Sequence, residues 1–156
     1  MNSFDYVYKH HLNDVDWFLR VDDDTFVVME NLRHFLFHQN TSMPRFYGHT
    51  AYKFLEHGFP SGGAGYVLSR EALRRFGNRA PGLCADDGGD ADIEMGRCMS
   101  LLGIRPGESR DRKGRTRFYP YSAEVLNKMR VNTGYFSFSR DICWSVVNGF
   151  SICGTF

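Results

Sequence analysis

Strand-like and helix-like segments alternate along this 156-residue chain, which predicts an α/β layer architecture. Two local features sharpen that expectation. The apolar run Trp17-Phe18-Leu19-Arg20-Val21 ends abruptly in three aspartates, Asp22, Asp23 and Asp24, and a glycine-rich segment, Ser61 to Gly65, runs on into Tyr66-Val67-Leu68-Ser69. In α/β folds ligands gather beyond the carboxyl ends of strands, and the aspartates occupy such an end.

The first segment, through Val15, reads as a short helix with Phe4, Val7 and His11 at helical spacing. A buried strand ending at Val21 follows, then the acidic turn and a second apolar run, Phe26 to Met29. Between Glu30 and Phe37, Leu32, Phe35 and Leu36 fall at i, i+3 and i+4, which predicts a helix with one buried face, ended by Asn40 and Pro44. Phe46-Tyr47-Gly48 reads as a short strand, and a loop with Gly58 and Pro60 leads into the glycine-rich segment. Ser69 is a candidate N-cap for a helix in which Leu73 and Phe76 share a face, with Gly77 as its stop. A Gly-rich acidic loop, Gly82 to Asp90, precedes a helix from about Ala91 to Leu102. Asp90 is its candidate cap, Ile93, Met99 and Leu102 its stripe with Gly96 between, and Gly103 and Pro106 its end. Thr116 to Tyr121 reads as a strand, whereas Tyr135, Phe136, Phe138 and Trp144 show no period.

The length fits one domain, residues 1–156, with a real core. A net charge of +1 with 24% charged residues provides no global field that would point to nucleic acid or membrane. The 14 Phe and 8 Tyr serve a core or line a carbohydrate site equally well. Cys84, Cys98, Cys143 and Cys153 match no zinc spacing; a Cys84–Cys98 disulfide and reduced core cysteines both remain open. Met1 to His11 is too polar for a signal peptide and the apolar runs are too short to span a bilayer, so the chain as written reads as soluble.

Three carboxylates where a buried strand surfaces repel one another, a cost that a divalent cation offsets. On an extended segment Asp22 and Asp24 point to one side and reach one cation or its waters; hard oxygen donors favour Mg, Mn or Ca over Zn. A solvated turn or capping cluster is the alternative, but not an EF-hand, because Thr25 to Met29 lacks the ligands. Ser61 to Gly65 lacks the Lys and Ser/Thr of a phosphate loop, which leaves close backbone approach to a ligand or positive φ in a turn. Asp92 sits in the first turn of its helix, where the dipole alone explains a carboxylate and where a general base could also stand; Asp86, Asp87, Asp90 and Glu94 compete for that role. His10, His11, His34, His38, His49 and His57 are scattered and read as surface or packing residues.

Four motifs in order over residues from about 5 to 121 carry a resemblance: Asp16-Trp17-Phe18-Leu19-Arg20-Val21-Asp22-Asp23-Asp24-Thr25, Ser61 to Ser69, Gly96-Arg97-Cys98-Met99 and Ser109-Arg110-Asp111. The chain resembles the core 1 β1,3-galactosyltransferases, glycoprotein-N-acetylgalactosamine 3-β-galactosyltransferases related to Fringe. That resemblance implies a GT-A type fold, a Rossmann-like mixed sheet with flanking helices. It also implies UDP-galactose as donor, Mn²⁺, and N-acetylgalactosamine α-linked to Ser or Thr of glycoproteins as acceptor, in enzymes anchored on the lumenal side of the Golgi membrane. Asp24 would then ligate Mn²⁺ directly, with Asp22 also near the metal, and Asp22 and Asp23 would serve the ribose and the metal's water shell. Asp92 would be the catalytic base, and Gly62 and Gly63 would lie under the sugar nucleotide. Members often dimerise, which makes a homodimer a candidate assembly.

The chain departs from the family pattern at Ala91, where Glu is usual, in having no His after His57, and in starting just before the acidic motif. It therefore reads as a partial catalytic domain with a divergent tail, residues 122–156. An inactive truncated relative, a chaperone-like partner of the active enzyme and a β1,3-glycosyltransferase of other specificity are the competing readings.

Overall fold

The computed structural model describes residues 2–84, 89–122, 124–125, 142–146 and 150–154, the last two stretches as backbone strands only. Its elements are α1 (Asn2–His11), β1 (Trp17–Arg20), α2 (Met29–Phe37), β2 (Arg45–Gly48), β3 (Thr50–Ala51), β4 (Phe59–Pro60), β5 (Tyr66–Ser69), α3 (Arg70–Gly77), α4 (Ala91–Leu101), β6 (Arg105–Pro106), β7 (Ile142–Val146) and β8 (Phe150–Gly154). The α/β expectation holds. Tyr135, Phe136, Phe138, Asp86 and Asp87 lie outside the described residues.

Four strands form a mixed sheet in the order β1-β5-β2-β6, with β5 antiparallel to both neighbours and β2 parallel to β6. Register pairs Trp17 with Ser69, Phe18 with Leu68, Leu19 with Val67 and Arg20 with Tyr66. Because side chains alternate across a sheet, Phe18, Phe46, Tyr66 and Leu68 face one core with Phe4, Leu73, Phe76 and Met99, while Tyr47 and Val67 face another with Phe35, Leu36 and Phe118. Both sheet faces are covered, so the strands read as continuous apolar runs. Full burial of a side chain such as Leu68 or Phe76 contributes about 1.5–3 kcal/mol.

The helix signals act as the residues dictate. Ser69 Oγ accepts from Ala72 N–H at 3.1 Å and opens α3; Asp90 accepts from the Asp92 and Ile93 amides and opens α4. Gly103, at φ +67°, ends α4: its amide reaches Ser100 O and the Ile104 amide reaches Met99 O at 2.8 Å, a Schellman closure. α3 ends at Gly77 as expected, and the glycine has a second part. A Cβ there would stand 2.1 Å from the Tyr8 ring, so the glycine lets α1 lie against α3. Of the expected α4 stripe, Met99 and Gly96 are buried and Leu102 packs against the core, while Ile93 is half-buried; Glu94, Met95 and Cys98 complete the buried face, and Gly96 lies against Phe59. Cys98 is bonded to Cys84, which settles the open alternative for that pair.

Two further expectations are corrected. Thr116 to Tyr121 forms no strand; Phe118 is buried edge-on against Phe35 in an irregular segment, pinned where Thr116 Oγ1 donates to Phe118 O. The acidic segment is a turn rather than an extension of β1, closed by the Thr25 amide on Asp22 O at 3.1 Å.

Candidate functional site

The site lies at the carboxyl end of β1. Arg20 is the last strand residue, and its guanidinium lies over the Tyr66 ring, 5.8 Å from the centroid, on the neighbouring strand. Beyond it the chain reverses. The Asp22 amide donates to Thr25 Oγ1 at 3.2 Å, and Thr25 Oγ1 donates to Gly63 O at 3.4 Å, which ties the acidic turn to the glycine-rich loop. Asp23 and Asp24 are exposed and their carboxylates hold no partner among the described residues.

The glycines divide the two roles left open by the sequence. Gly65 supplies the positive φ, +67°, after a turn closed by its own amide on Gly62 O. Gly62 supplies close approach: its amide donates to Asp92 Oδ2 at 2.6 Å, and a Cβ there would stand 2.1 Å from Arg20 Nη1 and 2.7 Å from Asp92 Oδ1. Gly63 faces the Pro120 carbonyl, which would lie 3.1 Å from an added Cβ. Thus the irregular 116–121 segment closes over the loop instead of joining the sheet.

Asp92 reaches this point because Asp90 caps α4 and turns the first helical residues toward β1. Of the rival acids, Asp90 is occupied by the cap and Glu94 by Arg97 Nη1 at 2.6 Å. Arg20 joins the two acidic elements: Nη2 lies 2.9 Å from Asp22 Oδ1 and Nη1 3.7 Å from Asp92 Oδ1. Nη1 is buried without a hydrogen-bond acceptor. A cleft of about 150 Å³ opens beside them, lined by Ser3, Phe4, Arg20, Tyr66, Asp92 and Glu94. Burial pushes the Tyr66 hydroxyl well above its ordinary range, opposed by the Arg20 charge and reinforced by Asp92 and Asp22.

Asp22, Asp92, Gly62 and Gly63 therefore meet, with Asp23 and Asp24 on the adjoining turn. Arg20 was not among the sequence candidates. Its signal was its place in the sequence, a lone cation at the end of an apolar run two residues before Asp22; the turn, not strand alternation, brings the two together.

Among the described residues no three His, Cys, Asp or Glu side chains converge as a metal cage. One or two hard carboxylates on an open turn instead suit a cation whose remaining ligands are phosphate oxygens and water. Asp24, free and exposed, fits that role directly; Asp22 fits it in competition with Arg20. The remaining sequence motifs are architectural: Gly96 admits Phe59, Cys98 carries the disulfide, Met99 is core, and Ser109 Oγ donates to Gly48 O at 2.8 Å. No helix among the described residues is long and apolar enough to cross a membrane.

The sequence matches the Fringe-like family over residues 2–111. It is 42% identical over 156 residues to glycoprotein-N-acetylgalactosamine 3-beta-galactosyltransferase 1 of Xenopus laevis, covering 98% of this chain and 43% of that protein. It is 33% identical over 110 residues to chondroitin sulfate synthase 3 of Homo sapiens, covering 63% and 12%. With a beta-1,3-glucosyltransferase of Mus musculus it shares 37% identity over 99 residues, 62% and 20% of the two chains. The chain thus spans less than half the length of each of these relatives.

Proposed function

Since this chain belongs to the Fringe-like family, whose fold is the GT-A type of glycosyltransferases, we propose that it transfers galactose from UDP-galactose to the 3-hydroxyl of N-acetylgalactosamine α-linked to Ser or Thr. The product would be a core 1 O-glycan on a secretory glycoprotein, formed on the lumenal side of the Golgi membrane. The observation that carries this reading is that three separate parts of the sequence are tied together: Thr25 joins the acidic turn to Gly63, the Gly62 amide holds Asp92, and Arg20 bridges Asp22 toward Asp92 beside a cleft that Arg20 and Asp92 line. The 42% identity to a 3-beta-galactosyltransferase over nearly the whole chain supports the donor and acceptor chosen.

Asp24, with Asp22, would hold Mn²⁺, and Asp23 would serve the ribose and the metal's water shell; the bound cation would offset the charge that grows on the departing diphosphate. Asp92 is the general base. One carboxylate oxygen is fixed by the Gly62 amide, which orients the other toward the cleft, where it takes the proton of the acceptor hydroxyl. Attack from the face opposite UDP inverts the anomeric carbon. Gly62, bare of a side chain, lets its backbone reach Asp92 beside Arg20, and Gly63 lets the loop lie against the Pro120 carbonyl; the sugar nucleotide would pass along this loop.

A second reading, transfer of another sugar by the same site, is favoured by the matches to chondroitin sulfate synthase 3 and a beta-1,3-glucosyltransferase. One assay separates the two. Galactose transfer from UDP-galactose to an N-acetylgalactosamine-α-threonine peptide is measured with and without Mn²⁺, beside UDP-glucose and other UDP-sugar donors and beside the Asp24→Ala variant. Metal-dependent galactosyl transfer lost in the variant supports the first reading, and preference for another donor supports the second. A folded chain that transfers no sugar and binds no UDP-sugar would sink both and leave a nonenzymatic relative, a chaperone-like partner among them.

A further inference from the structure

We propose that Arg20 is a positioning residue that couples the acidic turn to Asp92, so that the base is fixed in place when the turn takes up its cation. This rests on the reading of Asp22, Asp24 and Asp92 given above. The guanidinium is a fork shared between two carboxylates and lies over the Tyr66 ring, 5.8 Å from its centroid. Its bonds are unequal. Nη2 is within hydrogen-bonding distance of Asp22 Oδ1 at 2.9 Å, while Nη1 stops 3.7 Å from Asp92 Oδ1, is buried and has no acceptor.

A buried N–H without an acceptor is unfavourable, and here the missing acceptor is the carboxylate next to it. A cation drawn to Asp24 and Asp22 competes with Arg20 for Asp22. As Asp22 turns to the cation, the fork swings toward Asp92 and gains the hydrogen bond that Nη1 lacks. Asp92 is then held on both oxygens, by Gly62 N–H on Oδ2 and by Arg20 on one lone pair of Oδ1, whose second lone pair stays free for the acceptor proton. The bare backbone of Gly62 is what allows this, because a Cβ would occupy the space of Nη1. Lysine at this position would preserve the charge without the fork, so it would compete for Asp22 but could not bridge to Asp92.

The Gly62 amide reports directly on Asp92. The test follows amide signals of the ¹⁵N-labelled chain by NMR while Mg²⁺, a diamagnetic stand-in for Mn²⁺, is titrated. In the unaltered chain the Gly62 amide is expected to shift with the same midpoint as the Asp23 and Asp24 amides. In Arg20→Gln the acidic-turn amides still shift, at a cation concentration lower by roughly two- to fivefold because a competing charge is gone, while Gly62 no longer follows. In Arg20→Lys the midpoint returns and the Gly62 response stays weak. If Arg20→Gln loses its dispersed spectrum, the Lys variant carries the same test. Gly62 following the metal in the Lys or Gln variant, or staying still in the unaltered chain while the turn responds, overturns the coupling. An unaltered chain whose acidic turn ignores Mg²⁺ and Mn²⁺ sinks the metal reading itself, and the coupling with it.

Discussion

The β1–β5 pair has a closed end and an open one. At the closed end, where Trp17 meets Ser69, the Ser69 hydroxyl donates to Met43 O at 2.6 Å and accepts from the amides of Ala72 and Arg45, all within the fold. Arg70 adds an ion pair to Asp16 at 2.7 Å. At the open end, where Arg20 meets Tyr66, a buried guanidinium nitrogen has no acceptor, and Asp23 and Asp24 stand without partners among the described residues. The same strand pair thus ends in polar groups paired within the fold on one side and, on the other, in carboxylates that face solvent beside one buried nitrogen that lacks an acceptor. A buried donor left unpaired is destabilising, and a fold retains one where function uses it.

The largest expected effect lies under the closed end. Phe76→Ala removes a fully buried ring from the core beneath α3 and should cost about 3–5 kcal/mol, read as a lower midpoint of chemical denaturation. At the open end Gly62→Ala should do the reverse: Arg20 and Asp92 have mobile tips that move aside, so stability falls by less than about 1 kcal/mol while transfer falls roughly 100-fold through misplacement of the base. Equal losses of stability and transfer in that variant would break the comparison. Ser69→Ala should cost about 1–2 kcal/mol, since it removes the α3 cap and strands the Arg45 amide, and should leave the affinity for UDP and Mn²⁺ unchanged.

The smallest effect is electrostatic. Arg74, then Arg75, hold the Glu71 carboxyl down at about 2, below its ordinary 4.5. A depressed folded value means the pair stabilises the fold above pH 4.5 and loses that contribution as pH falls toward 2. Glu71→Gln should therefore be less stable than the unaltered chain at pH 6 by well under about 1 kcal/mol, given how exposed Arg74 is, and the gap should vanish by about pH 2. A gap that persists at pH 2 would assign the effect to packing.

How legible each end was in the sequence follows from the kind of interaction involved. Caps are local, so Ser69 and Asp90 declare themselves by residue type and by the apolar spacing that follows. The same holds for Gly103. The two-residue strands β3, β4 and β6 exist only because partners pair with them, and Pro60 and Pro106 speak against strands when read alone. Phe118 has the look of a strand residue because it is aromatic and buried, yet its burial comes from Phe35 and not from a ladder. In the site, the acidic turn and Asp92 were legible as chemistry, but their meeting through Arg20 and Gly62 is tertiary, and no spacing in the chain encodes it.

The measurement closest to the central claim is to compare Asp92→Asn with the unaltered chain in two readouts, rate of β-linked galactose transfer and affinity for UDP with Mn²⁺. With Asp92 as the base, transfer should fall at least about 100-fold while UDP affinity stays within about twofold. Transfer that survives the substitution, or a loss of UDP binding that accounts for all of the decline, would contradict the placement of the base at the open end of β1.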